Sequence, residues 1–576
     1  MRVLGYLRLL SGLRGNQLAV LFLRKGQRFL DRLLPRDLQP QEAAFVPRGR
    51  DRLRAVADAI ASSGILQQAQ SEDLACGFSF AGTQLPWEDI DLLGHNVSDL
   101  WTFHLHYFAE APSLAQQDDL SVRVLHEWVD RWIGEACFPQ SPGWHPYPTS
   151  VRIENWLLAA AVLASHGKPR QRSTLQLIMK YLPQQLEYLS RRTEDHLSGN
   201  HLVRNALALW VGGSVLRVHG AEKWRKIGGK LLEDTASSQV LSDGMHYERS
   251  PMYHGEVLRA YLIASFLDEP GSGSLQAVQD VIPRMLKVMV DMQAPDGHYC
   301  RFNDSADGVV PPPIALRKLA SRLGWPVPEP AKGITTLPAS GYGVYRGTED
   351  GCFLVFDFGR PGASEQPGHV HCDALSIELF LGDSPFFVNS GVSGYGGEAL
   401  RVLQRSTAGH NTVVIDQRNQ SEIWSTFRTG RMAHVEGEVG ESMEEVHLSG
   451  SCRYFGLPHV THSRLVVCGG GSLLQVTDQV QGARHSGRAY FRFAPGWEVR
   501  VVEDVLFGDN GELRVKVVPF GFLRWQVVQP DQEHEMNWFG SGFGLRERVP
   551  LFIGLVSPEG GEFGIRVRWA PVGSEP

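Results

Sequence analysis

Apolar residues recur at helical spacing through the first half of the chain, from about residue 101 to residue 323. The segments VRIENWLLAAAVLASHG, HLVRNALALWVGGSVLRVHG and MYHGEVLRAYLIASFLDEP show this pattern, and each ends at Gly or Pro. Each is long enough to be a helix rather than a strand. Several such helices joined by short loops predict paired helices in a bundle or toroid, and their uneven spacing argues against a helical solenoid.

Short β-type segments replace the helical pattern after the Pro-rich stretches VVPPPIA and PVPEPAKG. GYGVYRG, CFLVFDFG, SIELFLG, NTVVIDQ and LLQVTDQV are rich in β-branched and aromatic residues and are bounded by Gly, Asp or Asn. Their spacing predicts an antiparallel β-sandwich. We therefore predict a helical N-terminal lead-in at residues 1–85, a helical domain at 86–335 and a β-sandwich domain at 336–576. The cleft between two such domains commonly binds extended ligands.

The composition is that of a folded globular protein, with 43% hydrophobic and 21% charged residues in a chain of 576. The 56 basic and 63 acidic residues give a net charge of −7, which argues against a general nucleic-acid-binding protein. A local basic groove for an acidic substrate is compatible with that balance. The seven cysteines are scattered and form no CxxC pair, so the sequence indicates no disulfide framework and favours a reducing compartment.

The N-terminal segment MRVLGYLRLLSGLRGNQLAVLFLRKGQRFLDRLL combines basic and apolar residues. Its longest apolar run, residues 18–23, is too short to span a bilayer, and no small-residue cleavage site is visible. The segment is typical of a basic amphipathic helix that either packs on the protein or makes peripheral contact with a membrane; we favour packing. Without a visible signal peptide we expect a cytoplasmic protein, with the periplasm or the inner membrane as the alternative.

Two polar clusters stand out in the helical half. SGNH, residues 198–201, precedes the helix LVRNALALW. Donors at a helix N-terminus suit an anion such as a carboxylate, although helix capping by Ser198 or Asn200 explains the same residues. DGMHYERSPMYH, residues 243–254, contains two tyrosines and two histidines. A tyrosine can serve as a base or an acid once a neighbouring group tunes its pKa.

Three histidines stand out in the β half. In GHVHCDALS, residues 368–376, strand geometry would place His369, His371 and Asp373 on one face. An H-x-H pair on a strand is a common metal-ligand arrangement, and neutral imidazoles suit zinc. RSTAGHNT, residues 405–412, supplies His410 as a third. The sequence contains no G-x-S-x-G elbow, P-loop or H-E-x-x-H helix, which argues against a serine hydrolase, a P-loop NTPase and a thermolysin-like protease.

These segments resemble those of the heparinase II/III-like polysaccharide lyases, in the same order. The resemblance is carried by SGNHLVRNALAL, DGMHYERSPMYH, PGHVHCDALSIELFLGDSPFFVNSG and RSTAGHNTVVIDQRNQSEIW, with WTFHLHYF and RIENW as further segments. It implies a multidomain fold in which an (α/α) toroid of helical hairpins is followed by an antiparallel β-sandwich domain. It also implies cleavage of a uronic-acid-containing polysaccharide, glycosaminoglycan-like or a bacterial exopolysaccharide, by β-elimination.

That reaction requires neutralisation of the uronate carboxylate, a base for the C5 proton and an acid for the leaving oxygen. The resemblance implies that Asn200, with His201 beside it, neutralises the carboxylate. It implies that Tyr253 and His369 transfer the protons, and the uronic epimer decides which of the two is the base. The implied substrate-binding residues are His106, Arg152, Asn155, His246, Tyr247 and Arg405.

The resemblance further implies a metal site in the β-domain, with His371, Asn389 and His410 as ligands. Asn389 stands in FVNSG where the family usually has an aspartate. Asparagine keeps a carbonyl oxygen but loses the charge, which should lower the affinity for zinc. We therefore leave the occupancy open: a zinc or calcium ion would be structural, and no organic cofactor is expected.

Two other functions stay open at this point. A glycoside hydrolase on a helical toroid would need two carboxylates about 5–10 Å apart, for which Asp243, Glu248, Glu256 and Asp304 are candidates. A non-catalytic carbohydrate-binding or exopolysaccharide assembly protein is the third possibility. The clustering of Tyr, His and Asn favours elimination. In each case the expected partner is an acidic polysaccharide, and the sequence leaves the oligomeric state undefined.

Overall fold

The computed structural model describes residues 39–65, 77–136, 138–165, 167–347, 351–364, 367–441, 445–469 and 472–574. The predicted basic N-terminal helix lies outside these residues. No helix in the described part of the chain is both long and apolar enough to span a membrane. The α-helices of this part are α1 Pro47–Ser63, α2 Asp99–Leu105, α3 Ala111–Gln116, α4 Asp119–Glu135, α5 Pro146–Leu163, α6 Pro169–Ser190, α7 Gly199–Val215, α8 Ala221–Gln239, α9 Pro251–Leu267, α10 Gln276–Asp291, α11 Pro313–Arg322 and α12 Glu398–Arg405.

Consecutive helices of the first half pack as pairs around a shared core. Helix α5 packs on α6, α7 on α8 and α9 on α10, while α7 also contacts α5 and α9. Helices α5 and α9 are buried on almost every side because most of their side chains are apolar or small, and their few charged residues are buried as well. They therefore form the inner layer of a helical toroid, as the spacing of apolar residues predicts.

The described part of the predicted lead-in, residues 39–65 and 77–85, packs with the toroid. Helix α1 packs against α5, α7, α9 and α11, which makes it part of the toroid. The short strands Phe78–Phe80 and Thr83–Leu85 form a hairpin where helix was expected. The last toroid helix ends at Arg322 and the first strand of the β-domain begins at Gly333. The domain limits themselves stay predictions.

The second half consists mainly of antiparallel strands. A five-stranded sheet has the order β5-β6-β7-β8-β9, a four-stranded sheet β10-β17-β24-β21, and an eight-stranded sheet β13-β14-β15-β16-β25-β20-β19-β18. The strands of the described residues are β1 Ala44–Phe45, β2 Phe78–Phe80, β3 Thr83–Leu85, β4 Leu216–Arg217, β5 Gly333–Leu337, β6 Tyr342–Arg346, β7 Cys352–Asp357, β8 Ile377–Leu381, β9 Ser384–Phe387, β10 Val413–Val414, β11 Ile423–Ser425, β12 Arg428–Thr429, β13 His434–Glu441, β14 Glu445–Arg453, β15 Thr461–Gly469, β16 Leu473–Gln481, β17 Gly487–Arg492, β18 Glu498–Val502, β19 Val505–Asp509, β20 Leu513–Phe520, β21 Arg524–Val528, β22 Trp538–Gly542, β23 Leu545–Arg548, β24 Leu551–Val556 and β25 Glu562–Pro571.

One apolar core joins these sheets into a sandwich. Strand β16 shows why: alternate residues are buried, as its LLQVTDQV pattern predicts for a strand with one face on a core. Phe356 of the five-stranded sheet, Leu448 of the eight-stranded sheet and Phe491 of the four-stranded sheet belong to the same buried cluster. The β-sandwich prediction is thereby confirmed.

Candidate active site

A cleft of about 1390 Å³ lies between the toroid and the β-domain. Helices α5, α7 and α9 contribute to one wall, and β-domain loops at residues 367–369, 395–396, 427–428 and 543–545 contribute to the other. Apolar and aromatic walls with a few convergent polar groups are typical of a ligand site. The aromatic residues that line the cleft include Phe80, Phe103, Tyr107, Tyr147, Tyr253, Tyr395, Phe427 and Phe543.

Glu248 connects Asn200 of the toroid with His369 of the β-domain. Its Oε1 accepts a hydrogen bond from the Asn200 backbone N–H at 2.9 Å, and its Oε2 lies 2.6 Å from Nδ1 of His369. Burial alone would raise the pKa of Glu248, but the charge and hydrogen bond of His369, together with Asn200, lower it to about 2. The carboxylate is therefore ionised and fixes the orientation of the His369 ring.

Tyr253 and His369 stack against each other in the cleft. Their ring centroids are 4.2 Å apart and their planes differ by 18°. The Tyr253 hydroxyl lies 2.6 Å from the hydroxyl of Tyr395. Burial, followed by the nearby Tyr395 and Asp304, raises the pKa of Tyr253 well above its ordinary value, so this phenol is protonated at neutral pH. The two residues predicted to transfer protons thus lie side by side.

His201 lines the same cleft and lies against a buried carboxylate. Its Nδ1 lies 3.1 Å from Oε1 of the buried Glu194, and its ring centroid is 4.3 Å from that of Tyr147. Burial alone would lower the pKa of His201, but the charge and hydrogen bond of Glu194 raise it above its ordinary value. The pKa of Glu194, which burial alone would raise, is lowered to about 2 mainly by His201. An imidazolium in this position suits a substrate carboxylate.

The turn before α9 brings Glu248 to the start of α7. Ser250 caps α9 by accepting a hydrogen bond from the Tyr253 N–H at 3.1 Å, and a proline begins the helix. The side chain of Ser198, which precedes α7, makes no capping hydrogen bond. The Glu248 carboxylate instead accepts a hydrogen bond from the backbone N–H of Asn200 in the first turn. This is where the helix dipole favours a negative charge. The anion at this helix terminus is therefore the protein's own carboxylate, rather than the substrate carboxylate suggested by the sequence.

Among the predicted substrate-binding residues, Asn155 lines the cleft, while His106 and Arg152 do not. Arg152 is fully buried, donates to Gln185 at 2.7 Å and lies 4.0 Å from the Trp132 ring. His106 is fully buried as well, with its Nδ1 accepting from Trp132. The structure corrects the prediction here, because both residues hold the toroid together and do not face the cleft.

His246 and Tyr247 also lie outside the cleft-lining residues. His246 is fully buried, with Nε2 3.2 Å from Oε1 of Gln239, and its ring meets that of Tyr247 edge to face. His246 also lies close enough to Glu248 to help lower the pKa of that carboxyl group. The prediction of substrate contacts for these two residues is therefore corrected as well.

Arg405 supports the loop that carries His369. Its fully buried guanidinium donates to the carbonyl oxygen of Val370 at 2.9 Å and to that of Ser425 at 2.7 Å. These bonds tie the His369 loop to the β11–β12 hairpin. Arg405 does not line the cleft, so the structure assigns it to positioning this loop and not to substrate binding.

The H-x-H segment is not the predicted strand. Residues 367–369 form a short 3₁₀ turn, and strand β8 begins only at Ile377. The turn lets His369 line the cleft, while His371 is buried against Asp304 with 2.8 Å between Nε2 and Oδ1. The strand argument for a shared face was therefore wrong.

His371, Asp373 and His410 form a buried group of potential metal ligands. Their ligand atoms all lie within 4.8 Å of one another. His371 Nδ1 and His410 Nε2 are 3.2 Å apart, similar to the separation of about 3.4 Å expected for two nitrogen ligands of tetrahedral zinc. Asp373 Oδ1 is buried without a hydrogen-bond partner among the described residues. Asp304, hydrogen-bonded to the far side of His371, resembles the outer carboxylate that orients metal-binding histidines.

Asn389 does not complete this group. Its Oδ1 accepts hydrogen bonds from Ser376 Oγ at 2.6 Å and from the Asn411 N–H at 3.3 Å. The carbonyl oxygen that was expected to bind a metal is thus already used within the protein. Asp373 supplies the carboxylate that Asn389 lacks, which corrects the predicted ligand set.

Sequence reasoning missed several residues that line the cleft or support its lining residues from the protein interior. Glu248 was considered only as a hydrolase carboxylate, and Glu194, Tyr147 and Tyr395 were not considered at all. The close sequence positions of Glu248 and Tyr253 in one motif were the available signal for Glu248. No local signal points to Tyr395, because its contact with Tyr253 joins positions 142 residues apart.

Two family descriptions match the chain along its length. "Heparinase II/III N-terminus" matches residues 93–310 and "Heparinase II/III-like, C-terminal" matches residues 329–569, together well over half of the 576 residues. The chain belongs to the heparinase II/III-like family. This membership confirms the resemblance carried by the sequence motifs.

Individual members of the family are distant from this chain. A heparin-sulfate lyase of Pedobacter heparinus is 23% identical over 377 residues, covering 60% of this chain and 55% of that protein. A heparin-sulfate lyase of Bacteroides thetaiotaomicron is 25% identical over 195 residues, covering 33% of this chain and 27% of that protein. The chain therefore matches about half the length of the first relative and about a quarter of the second.

The fold is shared with a solved member of the family. The crystal structure of heparinase III has a TM-score of 0.68 at 16% identity, and the match covers 91% of this chain and 85% of that one. Since identity is this low, the likeness establishes the architecture alone. It confirms a helical toroid followed by an antiparallel β-domain.

Proposed function

We propose that this protein is a polysaccharide lyase that cleaves uronate-containing polysaccharide by β-elimination. The observation that carries the proposal is the contact between Tyr253 and a His369 ring oriented by Glu248, in a cleft that is also lined by His201, whose pKa is raised by the Glu194 carboxylate. When a phenol and an imidazole lie in contact, one of them can remove a proton from the substrate and the other can donate a proton to the leaving oxygen. A nearby cation lowers the cost of the negative charge that develops on the uronate.

In this mechanism His201 stabilises the carboxylate and so makes the C5 proton more acidic, while Asn200 donates its hydrogen bonds to Glu248. One of Tyr253 and His369 removes that proton. The electron pair forms the C4–C5 double bond, the C4–O bond breaks, and the other residue protonates the leaving oxygen. Tyr253, which burial keeps protonated, has a proton to donate, while the His369 ring is positioned to act as the base. The opposite assignment applies if the uronic epimer presents its proton to Tyr253.

Three of the carboxylates that a hydrolase could use are already paired with other residues, which favours elimination over hydrolysis. Glu248 is held by Asn200 and His369, and Asp304 lies 2.6 Å from Arg401. Glu256 pairs with Arg204 at 3.1 Å. A hydrolase requires one carboxyl group to give a proton and another to act as base or nucleophile. Each of these carboxylates instead has a structural partner that holds it in place.

The proposed substrate is a glycosaminoglycan-like polymer, in line with relatives named heparin-sulfate lyases. A bacterial exopolysaccharide containing uronate offers the same carboxylate and the same C5 proton. The aromatic residues of both walls suit the faces of sugar rings.

We further propose that His371, Asp373 and His410 hold a structural zinc ion. The two imidazoles and one carboxylate are ligand types that zinc prefers. Bound there, the metal would supply a positive charge that stabilises the Asp373 carboxylate and would stiffen the loop that ends in His369. The proposed proton transfers do not pass through it.

A panel of uronate polymers, sulfated and unsulfated, tests the proposal directly. Wild-type protein should generate the ultraviolet absorbance of an unsaturated uronate from at least one polymer, whereas Tyr253→Phe should not. Reducing ends without that absorbance would mean hydrolysis. Binding without any cleavage throughout the panel would favour a carbohydrate-binding protein and overturn the lyase proposal.

A further inference from the structure

Three hydrogen-bond donors surround the Glu248 carboxylate. The Asn200 backbone N–H donates to Oε1 at 2.9 Å, and the Asn200 Nδ2 amide lies 3.2 Å from Oε1 and 3.3 Å from Oε2. Nδ1 of His369 lies 2.6 Å from Oε2. The side chain of Glu248 is fully buried, so water does not share these contacts.

An ionised carboxylate only accepts hydrogen bonds. Nδ1 of His369 must therefore carry its proton, which leaves Nε2 of the neutral ring with a lone pair. The same reasoning orients Asn200, whose Nδ2 faces Glu248 while its Oδ1 is buried with no hydrogen-bond partner among the described residues. One carboxylate thus sets both the proton position on His369 and the direction of the Asn200 amide.

We propose that Glu248 is the positioning residue that holds His369 in the tautomer with a free Nε2 and couples that ring to Asn200. The kinetic consequence rests on the proposed lyase function; the tautomer itself does not. When Nε2 takes a proton, the negative charge of Glu248 also stabilises the imidazolium that results. A residue 121 positions away in the chain thereby prepares the β-domain histidine for proton transfer.

Glutamine cannot replace Glu248 in this role, although it has the same shape. Its side-chain amide has one oxygen and one NH₂ group, so it would place a donor against either Asn200 or His369. If the NH₂ group faces His369, Nδ1 becomes the acceptor and the proton moves to Nε2. Aspartate keeps the charge but is one methylene shorter, so it cannot reach both partners from the same backbone position.

The test compares wild-type protein with Glu248→Gln, Glu248→Asp and the control Glu187→Gln. Glu187 is another carboxylate with several donors, since it accepts from Lys223 at 2.9 Å and from Trp224 at 2.9 Å, but it lies on the outside of the toroid. Imidazole ¹⁵N spectra of histidine-labelled protein report the tautomer, and the His369 signals are assigned by their loss in His369→Ala. Melting temperature and kcat/KM on a cleaved uronate polymer are measured in parallel.

We expect the wild-type spectrum to show His369 protonated at Nδ1 at a pH where the ring is neutral, and Glu248→Gln to lose that signature. The kcat/KM of Glu248→Gln should fall at least about 100-fold, with partial recovery in Glu248→Asp. Glu187→Gln should leave kcat/KM within about two-fold, because Glu187 does not line the cleft. A wild-type His369 protonated at Nε2, or a Glu248→Gln variant with more than about a tenth of wild-type kcat/KM, would overturn the inference. If wild-type protein cleaves no polymer, the lyase proposal fails while the spectra still decide the role of Glu248.

Discussion

At the scale of single residues, the Tyr253 hydroxyl is the proposed proton donor. In Tyr253→Phe the ring can still stack on His369, while the hydroxyl and its 2.6 Å contact with Tyr395 are lost. We expect kcat to fall at least about 100-fold with little change in melting temperature. Tyr261→Phe is the matched control, since that buried tyrosine bonds Thr235 at 3.2 Å within the helical core. Activity above about a tenth of wild type in Tyr253→Phe would remove Tyr253 from the mechanism.

The His201–Glu194 pair predicts a particular pH dependence. Because the pKa of His201 is raised, its imidazolium persists to higher pH than that of an ordinary histidine and is lost as the pH rises through the raised value. The alkaline limb of kcat/KM should follow this loss. In Glu194→Gln the burial of His201 acts without its counter-charge, so its pKa falls and the alkaline limb should move at least about one unit to lower pH. An alkaline limb that stays in place in Glu194→Gln would show that His201 does not hold the substrate carboxylate.

At the scale of elements, the loop before β8 separates two histidines that are neighbours in sequence. His369 lines the cleft, whereas His371 lies inside the β-domain with Asp373 and His410. We expect Asp373→Asn and His371→Ala to lower both the melting temperature and the bound zinc, measured by elemental analysis. His369→Ala should keep both and lose activity. Native protein without stoichiometric zinc, combined with an unchanged melting temperature of His371→Ala, would exclude the metal site.

The sequence was informative about elements with a strong period and silent about loops. Helices α5, α7 and α9 and strand β16 follow directly from the spacing of apolar residues. The strand prediction for the H-x-H segment failed because alternation alone does not distinguish a strand from a 3₁₀ turn followed by an irregular loop. Here the tertiary contacts of His369 and His371 determine the backbone, and periodicity carries no information about them.

At the scale of the whole molecule, the active site exists only when the two domains meet. Motif resemblance predicts roles for Asn200, Tyr253 and His369, but it does not reveal the carboxylate that connects Asn200 with His369. Glu248 lies 48 residues from Asn200 and 121 residues from His369 along the chain. The same limit explains the wrong prediction for His106 and Arg152, which are polar residues in matching segments. Inside the toroid, Arg152 donates a hydrogen bond to the carbonyl oxygen of His106, and the His106 ring accepts one from Trp132.

The masses of the oligosaccharides released from a cleaved uronate polymer test the central claim most directly. Elimination forms the C4–C5 double bond without adding water, so each new non-reducing end should be lighter by one water than the saturated oligomer and should absorb in the ultraviolet. Tyr253→Phe, assayed at equal protein concentration, should release none of these species. Saturated oligomers from the wild-type protein would instead mean that water was added across the bond, and the proton-transfer roles assigned to Tyr253 and His369 would be wrong.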